Sequence, residues 1–244
     1  MIAHVPDLDD FVQALKILLV ENGVLTIEFP TAINLLKDCL FDTVYHEHFS
    51  YLTLTSLIKA LSRNEMEVFH VEKLNTHGGS LRAYVQLLPG NFPIRTSVAK
   101  ELQIEVQFYE NQKFFIERLP QLLQDKKAQA LNFINYNKQN GFRIAAYGAA
   151  AKGNTFLNYC GIDDTMIEYV VDNAPLKAGK FLPGSHIPIV TERELLENPP
   201  DFVILLAWNL YDEIYLRLSN LLQTNNKKIF LTSFQPNFYS CLIN

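Results

Sequence analysis

Tyr45, His46, Glu47 and His48 stand consecutively inside "CLFDTVYHEHFSYLTL", a phenol, two imidazoles and a carboxylate between apolar neighbours. Side chains of these types exchange protons, and a neutral histidine is a competent general base near pH 7. Three readings are open. A metal site would use His46 and His48, which share a face if the segment is extended. The other histidines are His4, His70, His77 and His186, none of them nearby in sequence, so no metal is expected. A general-base site would bring Tyr45 and His48 together in a turn, with Glu47 orienting an imidazole. A plain surface turn is the third reading.

Two further stretches invite chemistry. In "HGGSLR" (77–82) two glycines precede a strand and permit close backbone approach. His77 opens that turn, and Ser80 and Arg82 follow on the strand, where Arg82 could face a phosphate or a carboxylate. The same residues also make an ordinary hairpin turn. "YGAAAKGN" (147–154) follows one strand and opens a helix. Gly148 allows a tight turn, the three alanines let the backbone approach a ligand, and Lys152 adds charge near a helix N-terminus, a place suited to phosphate. The pattern is not GxGxxG, which weakens the dinucleotide signal and disfavours an NAD-dependent oxidoreductase. Asp172 ends the next strand, where Rossmann folds often hold an acid against a ribose hydroxyl, and Asn209 follows Trp208 at the carboxyl edge. Phe108, Tyr109, Phe114 and Phe115 read as helix packing rather than a base-stacking platform.

The elements that must position these residues are legible from periodicity. "DLDDFVQALKILLVENG" is a helix capped by Asp7 and closed by Gly23, with Leu8, Phe11, Val12, Leu15, Leu18 and Leu19 on its buried face. "VLTIEF" follows as a buried strand, and this helix-then-strand start is unusual for a parallel sheet. "TLTSLIKALSRN" is a second helix capped by Thr53 or Thr55, and "MEVFHVEKL" and "SLRAYVQLL" are strands joined by "NTHGG". A long helical region runs from Thr96 to Asn140, with Pro120 as a break or restart. Beyond Gly141, strands "RIAAYG", "IEYVVD", "IPIV", "DFVILLA" and "KKIFLTS" alternate with helices, the pattern of a doubly wound parallel Rossmann sheet. The expected fold class is therefore α/β.

Composition sets outer bounds. The 244 residues are 48% hydrophobic and 19% charged, ordinary for a globular protein with a substantial core. A net charge of -5 without a basic block argues against nucleic acid and anionic membrane as partners. Cys39, Cys160 and Cys241 lack CxxC spacing, which argues for a reducing cytoplasm and against structural zinc. No apolar run approaches a membrane span.

Taken in order, "FDTVYHEHFSYLTLTSL", "HGGSLRAYV", "AAYGAAAKGNTFLNYCGI" and "YVVDNAPLKAGKFLPGSHIPI" resemble the S-adenosylmethionine-dependent nucleotide-sugar C-methyltransferases, the TylC3-like C-3 methyltransferases. The resemblance covers nearly the whole chain. It implies methyl transfer from S-adenosylmethionine to C3 of a 4-keto-deoxysugar carried on a nucleoside diphosphate, through an enolate. It implies His48 as the base, Tyr45 as its partner or the proton carrier at the 4-keto oxygen, Glu47 as the orienting group, and His46 within the same catalytic motif. His77, Ser80, Arg82, Asp172 and Asn209 become substrate candidates, and Gly148, Lys152, Gly153 and Asn154 diphosphate candidates.

Family members are longer, with a cysteine-rich zinc module and a glycine-rich cofactor turn ahead of the matching region. Neither stands in these 244 residues, where His4, Val5 and Pro6 are what the resemblance leaves of the cofactor wall. The expected organisation is a methyltransferase remnant with the catalytic motif over 1–92, a helical connector over 93–140 and a Rossmann-like nucleotide-sugar domain over 141–244. Activity is expected to need the other half, supplied by a separate chain. The alternatives are a non-catalytic nucleotide-sugar-binding module, or a C3 proton exchanger or epimerase that needs no cofactor. Exposed edges on Val24 to Phe29 are an association hazard.

Overall fold

Asp7 starts the first helix as its spacing predicts, its carboxylate accepting the N–H of Asp10 at 3.0 Å. The helix, α1 (Leu8–Leu18), stops five residues before Gly23 because Leu19 turns extended at φ -90, ψ 122. That corrects the predicted apolar face: Leu19 packs on the core while Leu18, one position earlier, is 80% exposed.

The "VLTIEF" strand forms β1 (Leu25–Pro30), which joins β2 (Met66–Leu74) and β3 (Ser80–Leu87) in an antiparallel sheet of order β1-β3-β2. The expected buried strand is in fact buried on one face only. Ile27 and Phe29 point inward and Thr26 and Glu28 outward, because helices cover one side of the sheet only. The inward set continues with Leu81, Ala83 and Val85 of β3, and Met66, Val68 and Val71 of β2. A bulge between Val68 and His70 restores the alternation. A short helix the sequence did not announce, α2 (Ala32–Lys37), follows β1 and is capped by Thr31.

The helix α3 (Leu54–Ser62) carries a reciprocal capping box between Thr53 and Ser56. Its first turn also receives an anion. Glu105, 1% exposed, accepts Leu54 N–H at 2.5 Å on one oxygen, and Thr55 N–H at 2.8 Å and the Thr55 hydroxyl at 2.5 Å on the other. Glu105 belongs to α4 (Thr96–Gln139), a single helix of 44 residues that runs through Pro120 instead of breaking there. One missing N–H costs about 3 kcal/mol in a helix interior, which a run this rich in Leu, Gln, Lys, Ala and Glu absorbs.

The computed structural model describes residues 1–223 and 228–243. It divides into two units, one of Met1–Cys39 with His46–Leu119, the other of Leu40–Tyr45 with Pro120–Asn244.

The second unit is a Rossmann-like α/β fold. Its strands are β4 (Ile144–Tyr147), β5 (Val170–Val171), β6 (Ile189–Val190), β7 (Phe202–Leu205), β8 (Ile229–Ser233) and β9 (Tyr239–Ile243). They form one sheet of order β6-β5-β4-β7-β8-β9, parallel except for β9. That antiparallel edge strand and the helix α6 (Glu192–Glu197) were not predicted, and Lys227 of the predicted "KKIFLTS" strand lies outside the described residues.

Alternate residues divide the core between two faces. Ile144, Ala146, Ile204 and Leu206 meet Phe156 and Leu157 of α5 (Ala151–Cys160) and Ala130 and Ile134 of α4. Ala145, Tyr147, Val203 and Leu205 meet Leu195 of α6 and Ile214, Leu218 and Leu222 of α7 (Tyr211–Gln223). Such winding in opposite directions from β4 and β7 leaves a crevice beyond their carboxyl ends.

Glu105→Ala strips three donors at the start of α3 of their acceptor. It is expected to lower the stability of the first unit by about 2–3 kcal/mol, read as an earlier urea transition in far-UV circular dichroism.

Candidate functional site

The division between units falls within the Tyr45–His48 motif. Phe41–Thr43 make a 3-10 turn that belongs to the second unit together with Tyr45, which is half-buried. His46 and Glu47 form an exposed turn. His48, half-buried in the first unit, has its ring edge-on to that of His4 at 4.8 Å and to that of Tyr51 at 6.0 Å. Backbone bonds hold this group, because the N–H groups of Phe49 and Ser50 both donate to Ala3 O, at 2.8 and 3.3 Å. Two residues expected at different tasks, base and cofactor wall, are thus neighbours, and Tyr51 is an aromatic neighbour that sequence reasoning passed over. Among the described residues no cluster of three metal-ligating side chains forms.

The crevice of the second unit collects most of the other candidates. Gly148 takes φ +100, and a Cβ there would stand 2.8 Å from Ala207 Cβ. At Gly153 a Cβ would stand 2.6 Å from Leu206 Cβ. Lys152, only 9% exposed, lays its ammonium 4.6 Å from the centre of the Trp208 ring and donates to Asn209 Oδ1 at 3.5 Å. Burial pulls its pKa below the usual lysine range, and the charge of Asp42 partly offsets that pull. The Asn154 side-chain oxygen is buried with no hydrogen-bond partner among the described residues.

Asp172 is engaged within the chain. One oxygen accepts Ala174 N–H at 2.9 Å, and the other takes Ala149 N–H at 2.8 Å and the Lys177 ammonium at 3.0 Å. It therefore clamps the turn between β4 and α5. Lys177, which sequence reading had not singled out, also donates to Ala149 O at 2.8 Å.

Asp42 was likewise not singled out. It is 1% exposed and accepts the Trp208 indole N–H at 2.5 Å. Burial pushes its carboxyl above the usual aspartate range against that hydrogen bond and the charges of Lys152 and Lys126. The only sequence signal for it was an acid in an apolar run directly before the motif.

His77, Ser80 and Arg82 gather at the end of the three-stranded sheet. His77 takes a left-handed φ of 55, and Asn34 packs on Gly79 while donating to Gly78 O at 3.3 Å. Ser80 is buried and donates to Thr76 O at 3.1 Å. Arg82 lies on the polar face, paired with Glu28 at 3.0 Å and near Glu72 at 3.9 Å. Those carboxylates occupy the guanidinium in the place expected for a ligand. The contact with Arg82 holds Glu28 below the usual glutamate range.

His4 and Pro6 are exposed and Val5 half-buried. Pro6 borders an open groove of about 430 Å³, whose acids are already in use: Asp7 caps α1 and Asp9 pairs with Arg63 at 3.2 Å. These residues offer one wall and no carboxylate ready for a ribose. They do not by themselves fit an adenosyl cofactor.

Residues 75–232 match the family model described as the C-methyltransferase C-terminal domain. Over 212 residues the chain is 32% identical to the C-methyltransferase NovU of Streptomyces niveus, a match that covers 87% of this chain and 50% of that protein. The chain thus spans about half the length of this relative. Among the described residues no helix is long and apolar enough to cross a membrane.

Gly148→Ala forces a left-handed alanine against Ala207. It is expected to cost the second unit roughly 1–3 kcal/mol, measured by chemical denaturation, and to weaken any ligand seated in the crevice.

Proposed function

Because the chain belongs to the C-methyltransferase family, we propose that it carries the proton-abstracting and nucleotide-sugar-holding part of an enzyme that methylates C3 of a nucleotide-linked 4-keto-deoxysugar. The observation that carries this reading is His48, a half-buried imidazole edge-on to a second one in a motif that also offers Tyr45 and Glu47.

A C–H beside a ketone is weakly acidic. His48 takes the proton from C3, and the bonding pair passes toward the 4-keto oxygen as an enolate. Tyr45 donates a hydrogen bond to that oxygen, Glu47 orients the base, and His46 completes the motif. S-adenosylmethionine, when bound, supplies the electrophilic methyl group, with His4, Val5 and Pro6 as one wall. The rest of that cofactor site is supplied by sequence outside these 244 residues, in the same polypeptide or a separate chain.

The second unit takes the nucleoside diphosphate through the turn at Gly148, Lys152, Gly153 and Asn154. The buried ammonium of Lys152 supports that assignment, whereas the unpartnered Asn154 Oδ1 is an acceptor and suits a hydroxyl or N–H of the ligand rather than its phosphates. Asp172 and Asn209 shape the same crevice. His77, Ser80 and Arg82 are substrate candidates of the first unit, where a ligand would have to displace Glu28 from Arg82. Three cysteines without disulfides accord with a cytoplasmic setting.

Proton abstraction needs no cofactor, so it can be followed alone, as deuterium uptake at C3 of a thymidine-diphosphate 4-keto-deoxysugar in D₂O. His48→Ala is expected to slow uptake by about 10²–10⁴-fold, and Tyr45→Phe to slow it less. Unchanged uptake in His48→Ala sinks the assignment of the base. Nucleotide binding without any uptake by the parent chain leaves a binding module.

A further inference from the structure

The stretch Leu40–Tyr45 packs with the second unit although both flanking residues belong to the first. Two side chains hold it there. Phe41 lies against Tyr159 and Phe156, with ring centroids 4.7 and 5.9 Å away. Asp42 Oδ2 accepts the indole N–H of Trp208, which stands directly past β7. The turn closes on itself, Thr43 N–H donating to Leu40 O at 3.1 Å and Val44 N–H to Phe41 O at 3.0 Å.

The surroundings of Asp42 are largely apolar. Its second oxygen, Oδ1, has no partner among the described residues. Asp42 lines a cavity of about 10 Å³ with Phe156, Ile204, Leu206, Phe234 and Gln235, whose Nε2 is likewise unpartnered among them. Burying a carboxyl in such a wall is unfavourable in itself. Phe41 alone would supply the packing, so the polar contact is better explained by the unique place it imposes.

We propose that Asp42 is a positioning residue: by gripping Trp208 at the carboxyl end of β7, it fixes the backbone of the 40–45 turn and so the place from which Tyr45 is presented. The value of that placement for catalysis rests on the reading of Tyr45 given above. The grip itself does not.

The 244-residue chain has one tryptophan, so indole emission reports on Trp208 alone. Asp42→Ala removes the acceptor, Asp42→Asn keeps an acceptor oxygen of the same shape, and Trp208→Phe removes the donor while leaving a smaller aromatic ring in its place. In hydrogen–deuterium exchange, Asp42→Ala and Trp208→Phe are expected to speed exchange of the Thr43 and Val44 amides about 10-fold or more. The β7 and β8 amides stay as in the parent, and Asp42→Asn keeps the slow exchange. Parent emission is expected to change with pH above the ordinary aspartate range. Asp42→Asn abolishes that change, which separates it from titration of Lys152 over the same ring and of Lys126 nearby.

The proposal fails if Thr43 and Val44 stay protected in both Asp42→Ala and Trp208→Phe. It fails equally if β7 and β8 loosen to the same degree, since general packing would then account for the effect. Should Asp42→Ala not fold, Trp208→Phe decides alone. None of these readouts involves substrate, so a parent chain that exchanges no carbon-bound proton defeats the function and leaves the grip standing. Where the parent does exchange it, Asp42→Ala must be slower at saturating nucleotide sugar, with Asp42→Asn closer to the parent; an equal rate in Asp42→Ala overturns the positioning role.

Discussion

The crevice of the second unit depends on how closely the chain leaving β4 can lie against the chain leaving β7. Gly148 and Gly153 are set against Ala207 and Leu206 at distances that leave no room for a side chain. That contact seats the first turn of α5, and the seating brings the Lys152 ammonium over the Trp208 ring and Ala149 N–H within reach of Asp172. Two missing Cβ atoms thus decide where a buried cation, an indole and a carboxylate meet. The chemistry of the crevice is a consequence of backbone proximity before it is a matter of side-chain choice.

Much of the architecture was legible because it rests on local periodicity. The β2 and β3 strands, the caps at Asp7 and Thr53 and the alternation after Gly141 all follow from short-range rules, and the structure bears them out. Misreadings arose where distant residues decide. Leu18 fits the helical stripe, but the helix ends beneath it. Pro120 breaks short helices, yet α4 is long enough to carry it. Strand β9 pairs with β8 only because an edge was open to it, which no window of sequence reveals.

Candidate residues divide in the same way. Types and spacing pointed to the Tyr45–His48 motif and to the turn at Gly148. They could not reveal that His4 lies edge-on to His48, that Glu28 pairs with Arg82, or that Asp172 spends its oxygens on the turn beside it. Asp42 and Trp208, separated by 166 positions, form a pair that only the fold brings together.

The carboxylate of Glu105 at the start of α3 is an anion the chain supplies to itself. A helix N-terminus ordinarily attracts phosphate or sulfate from solution, but this one is filled by a group that cannot diffuse away and is almost wholly shielded from solvent. Mobile ions screen surface pairs such as Lys16 with Glu65, and reach a buried contact far less. The attachment of α3 therefore responds far less to ionic strength than the surface pairs do, and its N-terminus has no donors left over for an anion from solution.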